Sequence, residues 1–114
     1  MDIKEIAEQA YKTAELNNKY GEDPERAIVE KLLEEIDELE TAIYSQNYGH
    51  NINKIYDDDE FMIAFETYRK DTVPQELIDI VITALAGCKK LGCIPEIDIE
   101  NGLRYNRLRK YDRI

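Results

Sequence analysis

Thr72-Val73-Pro74-Gln75-Glu76-Leu77-Ile78-Asp79-Ile80-Val81-Ile82-Thr83-Ala84-Leu85-Ala86-Gly87-Cys88-Lys89-Lys90-Leu91-Gly92, residues 72–92, is the stretch on which the fold turns. Thr72 at an N-cap with Gln75 three residues on fits a capping box, and Gly92 fits a helix stop, so the run predicts a helix from Val73 to Leu91. Leu77, Ile78, Ile80, Val81, Ile82, Ala84, Leu85 and Cys88 cover most of its circumference, the pattern of a central helix packed on several sides. Its polar residues Glu76, Asp79 and Thr83 gather in a strip about 60° wide, with Glu76 and Asp79 adjacent on one face. Two acids on an otherwise buried helix require a partner: a cationic side chain, hydrogen bonds or a metal ion.

Upstream, Asp23-Pro24 supplies an N-cap and a first-turn proline. Ile28, Leu32, Ile36, Leu39 and Ile43 follow at spacings of three and four, predicting a helix from about Pro24 to about Tyr48. On a wheel its apolar stripe spans about 140°, with Glu35 about 20° beyond Ile28 and Glu38 about 60° further out, both on the border of the buried face. Glu34, Asp37 and Glu40 point progressively outward. Ile6, Ala7, Ala10, Tyr11 and Ala14 give a first helix from Ile3, with Gly21 suited to cap its end. Gly49 to Tyr56 reads as a loop, and Asp57-Asp58-Asp59-Glu60 places negative charge before a short helix over Phe61 to Tyr68. Pro95 opens a last helix with Ile97, Ile99, Leu103 and Leu108, whose basic end is Arg104, Arg107, Arg109 and Lys110.

No strand pattern, repeat or linker competes. The expectation is a single all-α domain over residues 1–114, a helical bundle of four main helices plus a short inserted helix. A core of this size leaves apolar surface uncovered unless subunits associate.

The 25 acidic against 15 basic residues give a net charge of −10, which repels a nucleic-acid backbone. A 43% apolar content is too high for a disordered acidic tail. Cys88 and Cys93 lack a CxxC or histidine partner and read as reduced core thiols rather than zinc ligands. Met1-Asp2-Ile3-Lys4-Glu5 turns charged at once and no apolar run approaches the ~20 residues of a membrane span, so a cytoplasmic location is expected. Tyr11, Tyr44, Tyr48, Tyr56 and Tyr68 read as core or interface residues.

Glu35/Glu38 and Glu76/Asp79 are acids three apart on two helices, able to converge four carboxylates in a groove. Such a set suits hard, oxygen-seeking Mg²⁺ or Mn²⁺ better than zinc. A salt-bridged structural network is the alternative. The Glu-x-x-His pattern of di-iron bundles is missing, since His50, the only histidine, falls in the loop. The run Asp57 to Glu60 lacks the alternating ligands, glycine and closing glutamate of an EF-hand.

Glu34-Glu35-Ile36-Asp37-Glu38 followed by Glu76-Leu77-Ile78-Asp79 resembles the MazG-like branch of the all-α nucleoside triphosphate pyrophosphohydrolases. Their pattern is Glu-Glu-x-x-Glu on one helix and Glu-x-x-Asp on a later one. Tyr105-Asn106-Arg107-Leu108-Arg109 is similar to the family's closing Asn-x-x-Arg segment, and the likeness covers residues 24 to 111 in scattered blocks. The resemblance implies a bundle completed as a homodimer or dimer of dimers, with Glu35, Glu38, Glu76 and Asp79 holding Mg²⁺, or Mn²⁺. Glu34 and Glu38 are then the catalytic positions, Glu34 assisting a ligand or an attacking water. The implied reaction cleaves a (d)NTP between its α and β phosphates, giving the monophosphate and pyrophosphate.

Two departures from the family pattern stand out. The 37 residues between Glu38 and Glu76 exceed the usual spacing, the excess falling in 47–72, where an insertion could form a lid or subunit contact. Gly102 stands where many relatives carry a phosphate-holding lysine, leaving Lys31, Arg104 or a neighbouring subunit to supply that charge. Asn106 and Arg109 are further candidate phosphate contacts, Arg109 because its planar fork matches phosphate oxygens. The competing functions are a catalytically silent helical interaction module and a related Mg-dependent hydrolase of another nucleotide or phosphoribosyl substrate.

Overall fold

The computed structural model describes residues 1–52, 54 and 56–109, and these form five α-helices and no strand. They are α1 (Ile3–Leu16), α2 (Pro24–Tyr44), α3 (Asp58–Tyr68), α4 (Val73–Lys90) and α5 (Pro95–Leu108). The all-α expectation holds. Among the described residues no helix is long and apolar enough to cross a membrane. Lys110, part of the expected basic end, lies outside them.

Aspartates start three of the helices by accepting orphan backbone N–H groups. Asp2 accepts from Glu5 at 2.8 Å, Asp23 from Arg26 at 3.2 Å and Asp57 from Glu60 at 2.8 Å. The third cap, with acids in the first turn, starts α3 three residues before the expected Phe61. At α4 the expected capping box forms only by half: Thr72 Oγ1 accepts from the Gln75 N–H at 3.3 Å, but the Gln75 side chain turns to Asp79 instead.

Left-handed residues close three of the helices, one at a glycine and two at other residues. Gly92, at φ +81°, ends α4 as expected, with the Cys93 N–H donating to the Cys88 carbonyl at 2.8 Å. In α1 the same role falls to Asn18 at φ +50°, not to Gly21, which serves the next turn. In α2 it falls to Gln46 at φ +53°, so the helix ends at Tyr44, short of the expected Tyr48. The residues after that turn complete the start of α4. The Asn47 carbonyl accepts from the Val73 N–H at 2.8 Å, and Asn47 Nδ2 donates to the Asp71 carbonyl at 3.2 Å. Gly49, at φ +60°, passes so close to the Tyr68 carbonyl and the Thr72 methyl that a Cβ there would overlap both.

The chain divides into two compact units, one of Met1–Ile28 with the segment from Ala84 onward, the other of Val29–Thr83. In the first unit α1 packs against α5, with Ala7 fully buried. Gly87 lies against Ile28, where a Cβ would stand 3.1 Å from an Ile28 methyl. Lys90 binds Glu15 at 2.8 Å and sits 5.4 Å above the Tyr20 ring. The pairing holds the Glu15 carboxyl below its ordinary range, while burial pushes the Tyr20 hydroxyl up. Cys88 is half-buried and its thiol is likewise raised by burial. Cys93 is exposed, because the turn at Gly92 carries it out of the helix; the expectation of a core thiol fails there.

The second unit corrects the wheel. On α2 the inward line is Leu32, Glu35, Leu39 and Ala42, with Glu35 and Ala42 buried, whereas Ile36 and Ile43 are exposed. Glu35 is thus at the centre of the packed face rather than its border. On the part of α4 within this unit the buried residues are Val73 and Glu76, with Asp79, Ile80 and Thr83 half-buried. Leu77, Ile78, Val81 and Ile82 are 39 to 49% exposed, so this end of α4 is not covered on all sides as its composition predicts. Tyr44, Tyr48 and Tyr68 are also exposed, which removes the core reading for them and leaves the interface one.

Candidate functional site

The second unit places acids where apolar residues would ordinarily be. Glu35 on α2 and Glu76 on α4 are each only 2% exposed. One oxygen of each, Glu35 Oε2 and Glu76 Oε2, is buried without a hydrogen-bond partner. Leaving a charged oxygen in that state costs several kcal/mol unless a proton or a cation is supplied. The other Glu35 oxygen accepts the Thr83 hydroxyl hydrogen, joining α2 to α4.

Glu38 and Asp79 complete the cluster. Glu38 is exposed, one turn beyond Glu35, and its negative charge acts on both Glu35 and Glu76. Glu76 holds its proton well above the ordinary carboxylate range. Its pKa is pushed up to about 7, first by burial and then by the negative charge of Glu38 and Asp79. The Glu35 carboxyl is raised too, again first by burial, with the Thr83 hydrogen bond and the Lys31 charge opposing. Asp79 is held by Gln75, whose Nε2 donates to Oδ1 at 3.0 Å.

Glu38 and Asp79 thus act on both Glu35 and Glu76, and all four acids lie in one unit. Glu34 lies on the exposed side of α2 and pairs with Lys31 at 3.4 Å. Lys31 is thereby beside the cluster, and its charge reaches Glu35. Arg104, Asn106 and Arg109 belong to the other unit, on α5 and at its C-cap, and all are exposed. The Arg109 guanidinium lies 5.9 Å from the centre of the Tyr105 ring. Gly102 faces open space, so nothing would obstruct a longer side chain there.

Among the described residues no three His, Cys, Asp or Glu side chains stand close enough to form a complete metal-ligand set. The donor chemistry nonetheless fits Mg²⁺, which retains several waters and takes one or two carboxylates along with substrate phosphates. Two orphaned carboxylate oxygens, on Glu35 and Glu76, whose carboxyls are both raised by burial and by the charge of Glu38 and Asp79, are the observation behind that fit.

Gln75 and Thr83 are the site residues that sequence reasoning missed. Thr83 already stood on the polar strip with Glu76 and Asp79, but nothing in the sequence showed that its hydroxyl would leave its own helix. Gln75 was assigned to the cap. No protein-family model, curated protein or solved structure matches this chain.

Proposed function

We propose that this chain is a metal-dependent nucleoside triphosphate pyrophosphohydrolase of the MazG-like type, acting on (d)NTP to give (d)NMP and pyrophosphate. The observation that carries the proposal is the pair of buried acids, Glu35 and Glu76, each with an oxygen lacking any partner. A structural salt-bridge network would have placed a lysine or arginine against those oxygens. Among the described residues the cation acting on Glu35 is Lys31, which is itself paired with Glu34.

Glu35, Glu76, Glu38 and Asp79 would hold Mg²⁺ or Mn²⁺. When bound, the metal neutralises phosphate charge and lowers the pKa of a coordinated water. Glu38, the exposed member of the cluster, would take a proton from the attacking water. In the balanced reaction the water oxygen bonds to the α phosphorus, the bond to the α–β bridging oxygen breaks, and pyrophosphate leaves with that electron pair. Lys31, beside the cluster, can turn from Glu34 to a phosphate oxygen. Arg104, Asn106 and Arg109 are candidates for further phosphate contacts.

The test is pyrophosphate release from a panel of ribo- and deoxyribonucleoside triphosphates with Mg²⁺, with Mn²⁺ and with chelator. Metal-dependent release with the matching monophosphate is expected. No turnover by folded protein would overturn the reading in favour of a silent interaction module or another phosphate substrate.

The outer face of α4 bears on assembly. Leu77, Ile78, Val81 and Ile82 form a contiguous apolar strip opposite the acids, the kind of surface two copies can bury against each other. The bundle is accordingly proposed to be completed by a second copy, as a dimer or dimer of dimers. Light scattering that returns the mass of one chain at micromolar concentration would exclude it.

A further inference from the structure

Among the described residues the hydroxyls of Thr41, Ser45, Thr67 and Thr72 donate hydrogen bonds that stay local, Thr72 to the Arg69 carbonyl at 2.7 Å. Thr41 donates to the Asp37 carbonyl at 3.1 Å, Ser45 to Thr41 at 2.9 Å and Thr67 to Ile63 at 2.7 Å, each four residues back. This is the ordinary recourse of a hydroxyl on a helix. Thr83 is four residues beyond Asp79 and has the same option, yet it donates across to Glu35 Oε1 on α2, 48 residues away in sequence. Glu35 is buried, and its second oxygen has no partner at all.

We propose that Thr83 is a positioning residue for metal binding: its hydroxyl fixes Glu35 through Oε1, so that Oε2 is the oxygen presented to the ion. The inference rests on the metal-dependent reading above and adds to it a residue outside the acidic motifs. A neutral donor suits the task. A lysine or arginine on Oε1 would fix the carboxylate equally well but would neutralise it and repel the incoming cation. A hydroxyl orients the group while leaving its negative charge in place. Gln75 stands in the same relation to Asp79, donating from Nε2 to Oδ1 at 3.0 Å. The face of α4 that carries Glu76 and Asp79 thus also carries uncharged donors for two of the four acids. Thr83 is the sharper test, because its bond joins the two helices.

The experiment is Mn²⁺ binding without nucleotide, followed by the electron paramagnetic resonance signal of the free ion, together with thermal unfolding in chelator. Wild-type protein is expected to bind Mn²⁺. Thr83→Val, equal in shape but without the donor, should weaken binding about 10- to 100-fold, the usual consequence of losing a group that orients a ligand. Thr83→Ser, which restores the donor, should recover most of it. Should Thr83→Val fail to fold, Thr83→Ala removes the donor with a smaller side chain and carries the same expectation. A merely structural role would lower the unfolding temperature of Thr83→Val without selectively changing Mn²⁺ affinity in the folded protein, and would overturn the proposal. So would Thr83→Val binding Mn²⁺ like wild type while Glu35→Gln loses it, a result that leaves the metal-dependent reading intact. Wild-type protein that binds no Mn²⁺ at millimolar concentration would overturn both.

Discussion

In chelator, this protein is expected to lose about 2 to 3 kcal/mol of folding stability between about pH 5 and pH 8, and Glu76→Gln is expected to remove most of that loss. The source is a carboxyl whose ordinary pKa of 4.5 is pushed up to about 7 by burial and by its acidic neighbours. Between those two values the folded protein binds a proton that the unfolded chain releases. The stability conferred by the protonated group is therefore fully present below about 4.5 and disappears as pH rises through 7. At about 1.4 kcal/mol per unit the whole interval corresponds to roughly 3 kcal/mol, an upper bound because a relaxing fold would admit water to the charged form. Glu35 acts in the same direction, also chiefly through burial. Saturating Mg²⁺ or Mn²⁺ should restore stability at pH 8, since an ion that binds only the folded state stabilises it by mass action. Denaturant titrations at each pH, with and without metal, would check this. A wild-type profile that is flat in chelator would show that Glu76 is not held in the environment described.

The same burial explains what could be read in the sequence and what could not. The start of α2 was legible because Asp23 acts through its own side chain on an N–H three residues on, whereas α3 begins three residues before Phe61 because Asp57 caps it in the same way instead of only adding charge ahead of it. The start of α5 at Pro95 was legible because a fixed φ and a missing N–H suit the first turn. Helix ends were less so. Asn18 and Gln46 take left-handed conformations that glycine would have announced, and Gln46 does so where Asn47 serves the first turn of α4, a contact remote in sequence.

The orientation of the helices was misread for one physical reason. A hydrophobic wheel places the buried face at the centre of the apolar residues, which holds when burial is governed by transfer from water. In the second unit it is not. α2 turns Glu35 inward and Ile36 outward, and α4 turns Glu76, Asp79 and Thr83 inward while Leu77 and Val81 remain exposed. Pairing the acids Glu35/Glu38 and Glu76/Asp79 by their spacing picked out four residues of one unit, in which Glu38 and Asp79 act on both Glu35 and Glu76. The donors that orient them escaped notice, because Thr83 and Gln75 acquire that role only when two helices, or two turns of one helix, come within hydrogen-bond distance. Local consistency gives way where the buried face carries acids, and the exposed apolar strip on the opposite side of α4 is its counterpart.

Glu38→Gln is expected to lower pyrophosphate release by about 100-fold or more, beyond the usual effect of removing a group that merely orients a ligand, while leaving the protein folded. Its position makes the expectation sharp. Glu38 is exposed, so replacing it opens no cavity and strands no buried partner. It also exerts an unfavourable charge on Glu76, so its neutralisation should slightly stabilise the metal-free protein above pH 7. Loss of activity with unchanged or higher stability separates a functional carboxylate from a structural one, because breaking a buried salt-bridge network would lower stability first. The comparison with Glu76→Gln strengthens the argument: both variants remove a charge that the metal-free fold tolerates poorly, and both should be more stable and less active than wild type. Under the proposed function the cation is what such costly acids are retained for, Glu38 and Glu76 together with Glu35 and Asp79, which accept from Thr83 and Gln75. Glu38→Gln with wild-type turnover would remove Glu38 from the active site and leave the cluster without its proton acceptor.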